Sequence, residues 1–175
     1  FAECAFGKEK AFAYTRGEWK NIRNDVPVIG AYGVQDDGSS DKYDKGSAVV
    51  HMIRVMMNND EKFRQLLRGL NKDFYHKLVT SKQVEDYIMK FTGLDLKAFF
   101  NQYLRSTQIP KLEWYIKKKE LHYRFINVVS GFSLPLPVYT NKKSETLRVT
   151  SEWQSIPWKK SGYNIEASPD FLIKE

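Results

Sequence analysis

The apolar residues of this chain recur every three to four positions as far as Leu104 and every second position from Leu112 onward, and Pro110 stands at the change. A spacing of three to four is the imprint of a helix with one buried face, and a spacing of two that of a half-buried strand. Val49, Met52, Ile53, Met56 and Met57 predict a first clear helix, and Asn58-Asn59-Asp60 is expected to break and recap the chain. Phe63, Leu66, Leu67, Leu70 and Phe74 mark the next. Thr80 with Gln83 three positions on fits a capping box for a third helix carrying Val84, Ile88 and Phe91 and stopping at Gly93. Asp95 is expected to cap a fourth, with Leu96, Phe99, Phe100, Tyr103 and Leu104. An earlier helix is expected to run from the first residues through Trp19 and Ile22, weakened at Gly7 and Gly17.

Beyond Pro110, Leu112, Trp114 and Ile116 and then Leu121, Tyr123 and Phe125 alternate on either side of Lys117-Lys118-Lys119, which reads as a hairpin. Further strands are expected around Phe132 to Val138, Leu147 to Val149, Ile156 to Trp158, Tyr163 to Ile165 and Phe171 to Ile173, with a turn at Asn141 to Ser144. Pro135 and Pro137 lack backbone donors and argue that their strand is irregular or lies at a sheet edge. The fold class read from this pattern is α+β: an α-helical bundle over 1–107 followed by a small antiparallel β-sandwich over 108–175.

Function is harder to read. The net charge is +7, but 17 Lys/Arg against 14 Asp/Glu in residues 1–105 and 11 against 7 in 106–175 spread the excess along the chain. No basic stripe of the kind that tracks nucleic acid results, and no apolar run is long enough to span a membrane. Cys4 is the only cysteine, and His51, His76 and His122 are not at ligand spacing, so no self-contained zinc site is expected. The residues alone fix no compartment. The opening "FAECAF" has no initiator Met and reads as entering in mid-helix, so the expectation is a piece of something longer.

One stretch is less bland. Residues 21–46, "NIRNDVPVIGAYGVQDDGSSDKYDKG", form a long connection between helices, and Val26-Pro27-Val28-Ile29 is apolar enough to pack. Asp36, Asp37 and Asp41 are expected to make turns. Tyr43 ends the stretch, either as a packing residue or with its hydroxyl presented into a cleft; periodicity alone favours packing. Gly46 sits near a helix start, where it costs about 1 kcal/mol relative to Ala. Either backbone freedom or a closely approaching neighbour is expected to explain it.

"YDKGSAVVHMIR", "NNDEKFRQLL", "KLVTSKQVEDY", "GLDLKAFFNQYL" and "IPKLEW", in this order, together with "FGKE" and "NIRND", resemble the aminopeptidase N family of gluzincin zinc metallopeptidases from the far end of the catalytic domain onward. The resemblance implies that Tyr43 is the catalytic tyrosine that donates its hydroxyl to the oxyanion formed at the peptide carbonyl, with Gly46 explained by close helix approach. The family holds zinc through H-E-x-x-H and a later Glu, and this sequence contains no such set. The chain therefore reads as a C-terminal portion, with zinc in the full-length parent and none expected on this piece. Its expected partners are peptide substrates and the N-terminal part of the same enzyme. Bacterial members are often exported. The alternative from another class is a non-catalytic scaffold that presents a peptide- or protein-binding surface.

Overall fold

The computed structural model describes residues 2–140, 143–158 and 165–174. Six helices come first and two small antiparallel sheets follow, an α+β arrangement. The first helical stretch is split. Gly7, at φ 83°, separates α1 (Ala2–Phe6) from α2 (Lys8–Glu18), whereas Gly17 is absorbed within α2. After a one-turn 3-10 helix (Trp19–Asn21) the chain runs irregularly to a second one (Ser40–Lys42), which leads straight into α3 (Asp44–Met57).

Asn58 adopts the left-handed conformation and ends α3, and the Asn59 side chain accepts the Lys62 N–H to start α4 (Asp60–Asp73). Thr80 and Gln83 form the expected capping box at α5 (Ser81–Thr92), and Gly93 closes that helix in the left-handed conformation. At α6 (Lys97–Leu104) the capping position is Leu96 rather than Asp95; the Asp95 carboxylate accepts the Lys97 N–H from one residue further back. Phe74 lies past the end of α4, with its ring 5.5 Å from that of Tyr87.

β1 (Lys111–Lys117) and β2 (Glu120–Ile126) pair in full register, and β5 (Gln154–Pro157) adds to β2. Lys118 and Lys119, at φ 50° and 64°, make the two-residue turn, whose paired positive angles match the twist of the strands. The second sheet has the order β4-β3-β6, from β3 (Leu134–Thr140), β4 (Lys143–Val149) and the short β6 (Glu166–Ala167). The proline-bearing strand is therefore central, not at an edge. The reason is parity. Pro135 and Pro137 turn their nitrogens to the same side, and the Pro137 carbonyl accepts the Ser168 N–H, which makes that the β6 side. The ladder to β4 stays whole, while pairing with β6 is confined to Val138 and Tyr139. Of the sandwich expected over 108–175, the described residues form these two three-stranded sheets. Residues 171–173 form no strand, and Tyr163 lies outside the described residues, as do Asn141 and Lys142 of the expected turn.

One apolar cluster runs through the molecule, from Met52 and Ile53 of α3 and Phe99, Phe100 and Tyr103 of α6 to Phe125, Leu136 and Val149 of the two sheets. It passes through the expected boundary at 107/108. There the Gln102 amide, wholly buried, donates to the Gln108 and Asn127 carbonyls (2.8 and 3.3 Å) and accepts the Val129 N–H (2.7 Å). Residues 168–174 turn back onto the helices. The Leu172 carbonyl accepts the buried Tyr103 hydroxyl (2.9 Å), Lys174 bridges to Lys111, and Asp170 receives Arg16 of α2 and His51 of α3.

Candidate functional site

Tyr43 sits at the first turn of α3, and everything that fixes its position lies behind it. Ser39 starts the preceding 3-10 turn, its hydroxyl oxygen accepting the Asp41 N–H (3.1 Å) while its proton goes to the Asp25 carboxylate (2.6 Å). Asp41 is buried and is more than a turn-maker. Its two oxygens accept the backbone N–H groups of Arg23 (2.9 Å) and Asn24 (2.7 Å), tying the two ends of the long connection together. Within the connection Asp36 accepts from Ala31 and Gly38, and the Ser39 N–H reaches the Pro27 carbonyl. Gly38 stands at φ +68°, where a Cβ would meet the Val28 carbonyl oxygen at 2.3 Å, so no other residue fits. The expected packing of the apolar stretch is partial. Pro27, Val28 and Ile29 are half-buried, and the Ile29 N–H donates to the Leu104 carbonyl at the end of α6, whereas Val26 is exposed.

The second support is Lys45, which is 0% exposed. Its ammonium donates to the Ser106 carbonyl (3.0 Å), linking the first turn of α3 to the chain just past α6. Burial pushes the Lys45 pKa down, and the Asp41 charge opposes that shift. An ordered polar scaffold of Asp41, Lys45, Ser39 and Asp25 thus underlies the helix start.

Tyr43 itself is turned outward. The residue is 74% exposed, its backbone carbonyl accepts the Ser47 N–H, and Lys42 lies over its ring at 5.9 Å. Its hydroxyl has no hydrogen-bond partner among the described residues. The packing role that periodicity favours is not what this geometry provides. Gly46 gives a second correction. It has no left-handed backbone, and a Cβ there would meet nothing within 4 Å, so no neighbour among the described residues explains it.

The remaining candidates disperse. His51 is a buried packing residue against Phe12 and Asp170, and His122 stacks on Tyr115. Among the described residues no three His, Cys, Asp or Glu side chains come together as a metal-ligand set. No described helix is long and apolar enough to cross a membrane. A cavity of about 550 Å3 opens between the long connection, α5 and α6, with Tyr32, Glu85, Met89 and Arg105 in its lining; Tyr43 is not part of it. Arg105 grips both oxygens of Glu85 at 2.7 and 3.2 Å on its wall.

Sequence reasoning missed Asp41 and Lys45 as supports. Their spacing of four across a helix start was the available signal, because it stacks two opposite charges on one side of the turn. Comparison with known proteins adds no assignment, since no family model and no curated protein matches the sequence.

Proposed function

We propose that the chain is the C-terminal portion of a zinc-dependent aminopeptidase that hydrolyses N-terminal residues from peptides, and that Tyr43 stabilises the oxyanion of that reaction. The observation that carries the reading is the state of Tyr43. Its phenol is exposed, its hydroxyl is unengaged by the described residues, and the turn that bears it is fixed from behind by Asp41 and Lys45. A neutral donor held in this way needs no reorganisation as negative charge develops on a carbonyl oxygen. The ordered likeness to the aminopeptidase N family, from "YDKG" to "IPKLEW", supplies the reaction class.

In this reading the metal is held by the H-E-x-x-H and Glu of the full-length parent. When bound, zinc supplies the Lewis acid and the activated water of peptide hydrolysis. What this chain contributes is the oxyanion donor and part of the surface around the substrate.

The test is Tyr43→Phe in the full-length parent. The ring and its exposure are kept and only the hydroxyl goes. The expected result is a fall in kcat on the order of 10²–10³, with much less change in KM and unchanged zinc content and folding. Wild-type kcat with intact zinc overturns the role of Tyr43. An upstream coding sequence without H-E-x-x-H and a following Glu overturns the enzyme reading as a whole.

A further inference from the structure

The connection between α4 and α5 exposes apolar side chains that the rest of the fold does not use. In residues 74–79, Tyr75 is 71% exposed, Leu78 103% and Val79 41%. Single exposed apolar residues are ordinary on protein surfaces, but three within five positions are not scattered.

The segment is also shaped rather than loose. Phe74 anchors its root against Tyr87, the Lys77 N–H donates to the Phe74 carbonyl (3.1 Å), and the Lys77 ammonium closes on the Asp73 carbonyl (2.7 Å). His76 takes the left-handed conformation at φ 52°, and the Thr80 capping box ends the connection. The result turns one aromatic inward and leaves Tyr75, Leu78 and Val79 outward.

The charge around this tip is basic. Residues 72–82, at the tip itself, hold three Lys against one Asp, a net of +2. Glu61 engages Arg64 and Arg68, and Asp86 engages Lys82, whereas Lys72 and Lys77 form no salt bridge among the described residues.

We propose that this tip docks the protein peripherally on an anionic lipid surface, with Tyr75, Leu78 and Val79 entering the interface and Lys72 and Lys77 facing the headgroups. Two features favour lipid over a protein groove. Leu78 is exposed over its whole side chain, and a projecting apolar side chain suits a fluid interface that closes around it. Tyr beside aliphatic residues with a basic collar is also the composition of interfacial anchors, in which apolar insertion and electrostatic attraction add. The inference is independent of the aminopeptidase reading.

The experiment uses the full 175-residue chain with vesicles of phosphatidylcholine, pure or with about 30 mol % phosphatidylserine. Co-sedimentation with the mixed vesicles and little with the neutral ones is expected. Leu78→Ser and, separately, Lys72→Glu with Lys77→Glu should each weaken that binding by at least about tenfold. Because a chain of charge +7 can adsorb without orientation, a second readout locates the contact. An environment-sensitive dye on Leu78→Cys, in a Cys4→Ser background, should shift to the blue on mixed vesicles, and the same dye on Lys117→Cys should not. Equal shifts at both positions, equal binding to neutral vesicles, no binding, or full binding by Leu78→Ser would each overturn the proposal. So would a protein partner that occupies the tip while the vesicles leave it untouched.

Discussion

Replacing Asp41 by Asn asks whether the start of α3 is held from behind. The carboxylate is buried and accepts two backbone N–H groups, from Arg23 and Asn24, and its charge favours the buried ammonium of Lys45. An amide of the same shape can accept one of those N–H groups but turns its own N–H toward the other. Hydrogen bonds to a charged group are worth about 1.5–3 kcal/mol, and a buried donor left without an acceptor costs about 1–3 kcal/mol. Losing the anion also makes the charged form of Lys45 less favourable. The expected loss is roughly 2–4 kcal/mol. At about 2–4 °C per kcal/mol for a chain of this size, Tm should fall by roughly 4–16 °C. Urea unfolding followed by tryptophan fluorescence measures the loss directly. Lys45→Met and the double variant complete a cycle, in which the two changes should deviate from additivity by about 1 kcal/mol or more. The reasoning fails if Asp41→Asn lies within about 0.5 kcal/mol of wild type, or if the two substitutions simply add.

Gly46→Ala should stabilise the chain by about 0.5–1 kcal/mol, because its Cβ meets nothing and the helix gains propensity; a lower Tm would show that the turn needs glycine. Thr80→Ala should cost about 1 kcal/mol by removing the reciprocal cap of α5, measured by urea unfolding. Acid should release the N-terminal helices. Hydrogen bonds from Arg54 lower the pKa values of Glu3 and Asp60, and at Asp170 burial pushes upward but the hydrogen bonds from His51 and Arg16 outweigh it. With folded values below unfolded ones, these carboxylates stabilise fully above the ordinary carboxylate range. That stabilisation is lost progressively as pH falls from the ordinary carboxylate values toward the depressed ones. Near-ultraviolet dichroism should therefore hold down to about pH 4 and change below it.

The helices were legible where the apolar period, the caps and the stops agreed, as at Thr80, Gln83 and Gly93, because those signals are local. The lysine turn was legible for the same reason. The place of β3 was not. Proline reports which backbone groups are missing but not which side of the strand they would have faced, and that depends on the register with β4. Tyr43 was legible as a position and not as an environment, since its exposure depends on how residues 22–42 fold behind it. Asp41 read as a turn residue because its partners, Arg23 and Asn24, lie 18 and 17 positions away. Gln102 was invisible for a similar reason: an amide inside a helical pattern looks solvated until the strands it serves are in place.

The return of residues 168–174 onto the helices bears on the order in which the molecule assembles. Arg16 and Asp170 are 154 positions apart, His51 and Asp170 are 119, and Met52 and Leu172 are 120. Loop-closure entropy grows only logarithmically, so a loop of about 150 residues costs about 2 kcal/mol more to close than one of about 20. The equilibrium penalty is small and the kinetic one larger, because distant contacts reward the chain only after that entropy is lost. The α3–α4 pair and the β1–β2 hairpin rely on neighbours in sequence and are expected to form first. The docking of α2 against α3 is completed by Asp170, which pairs with Arg16 and His51, and is expected in the final stage of refolding.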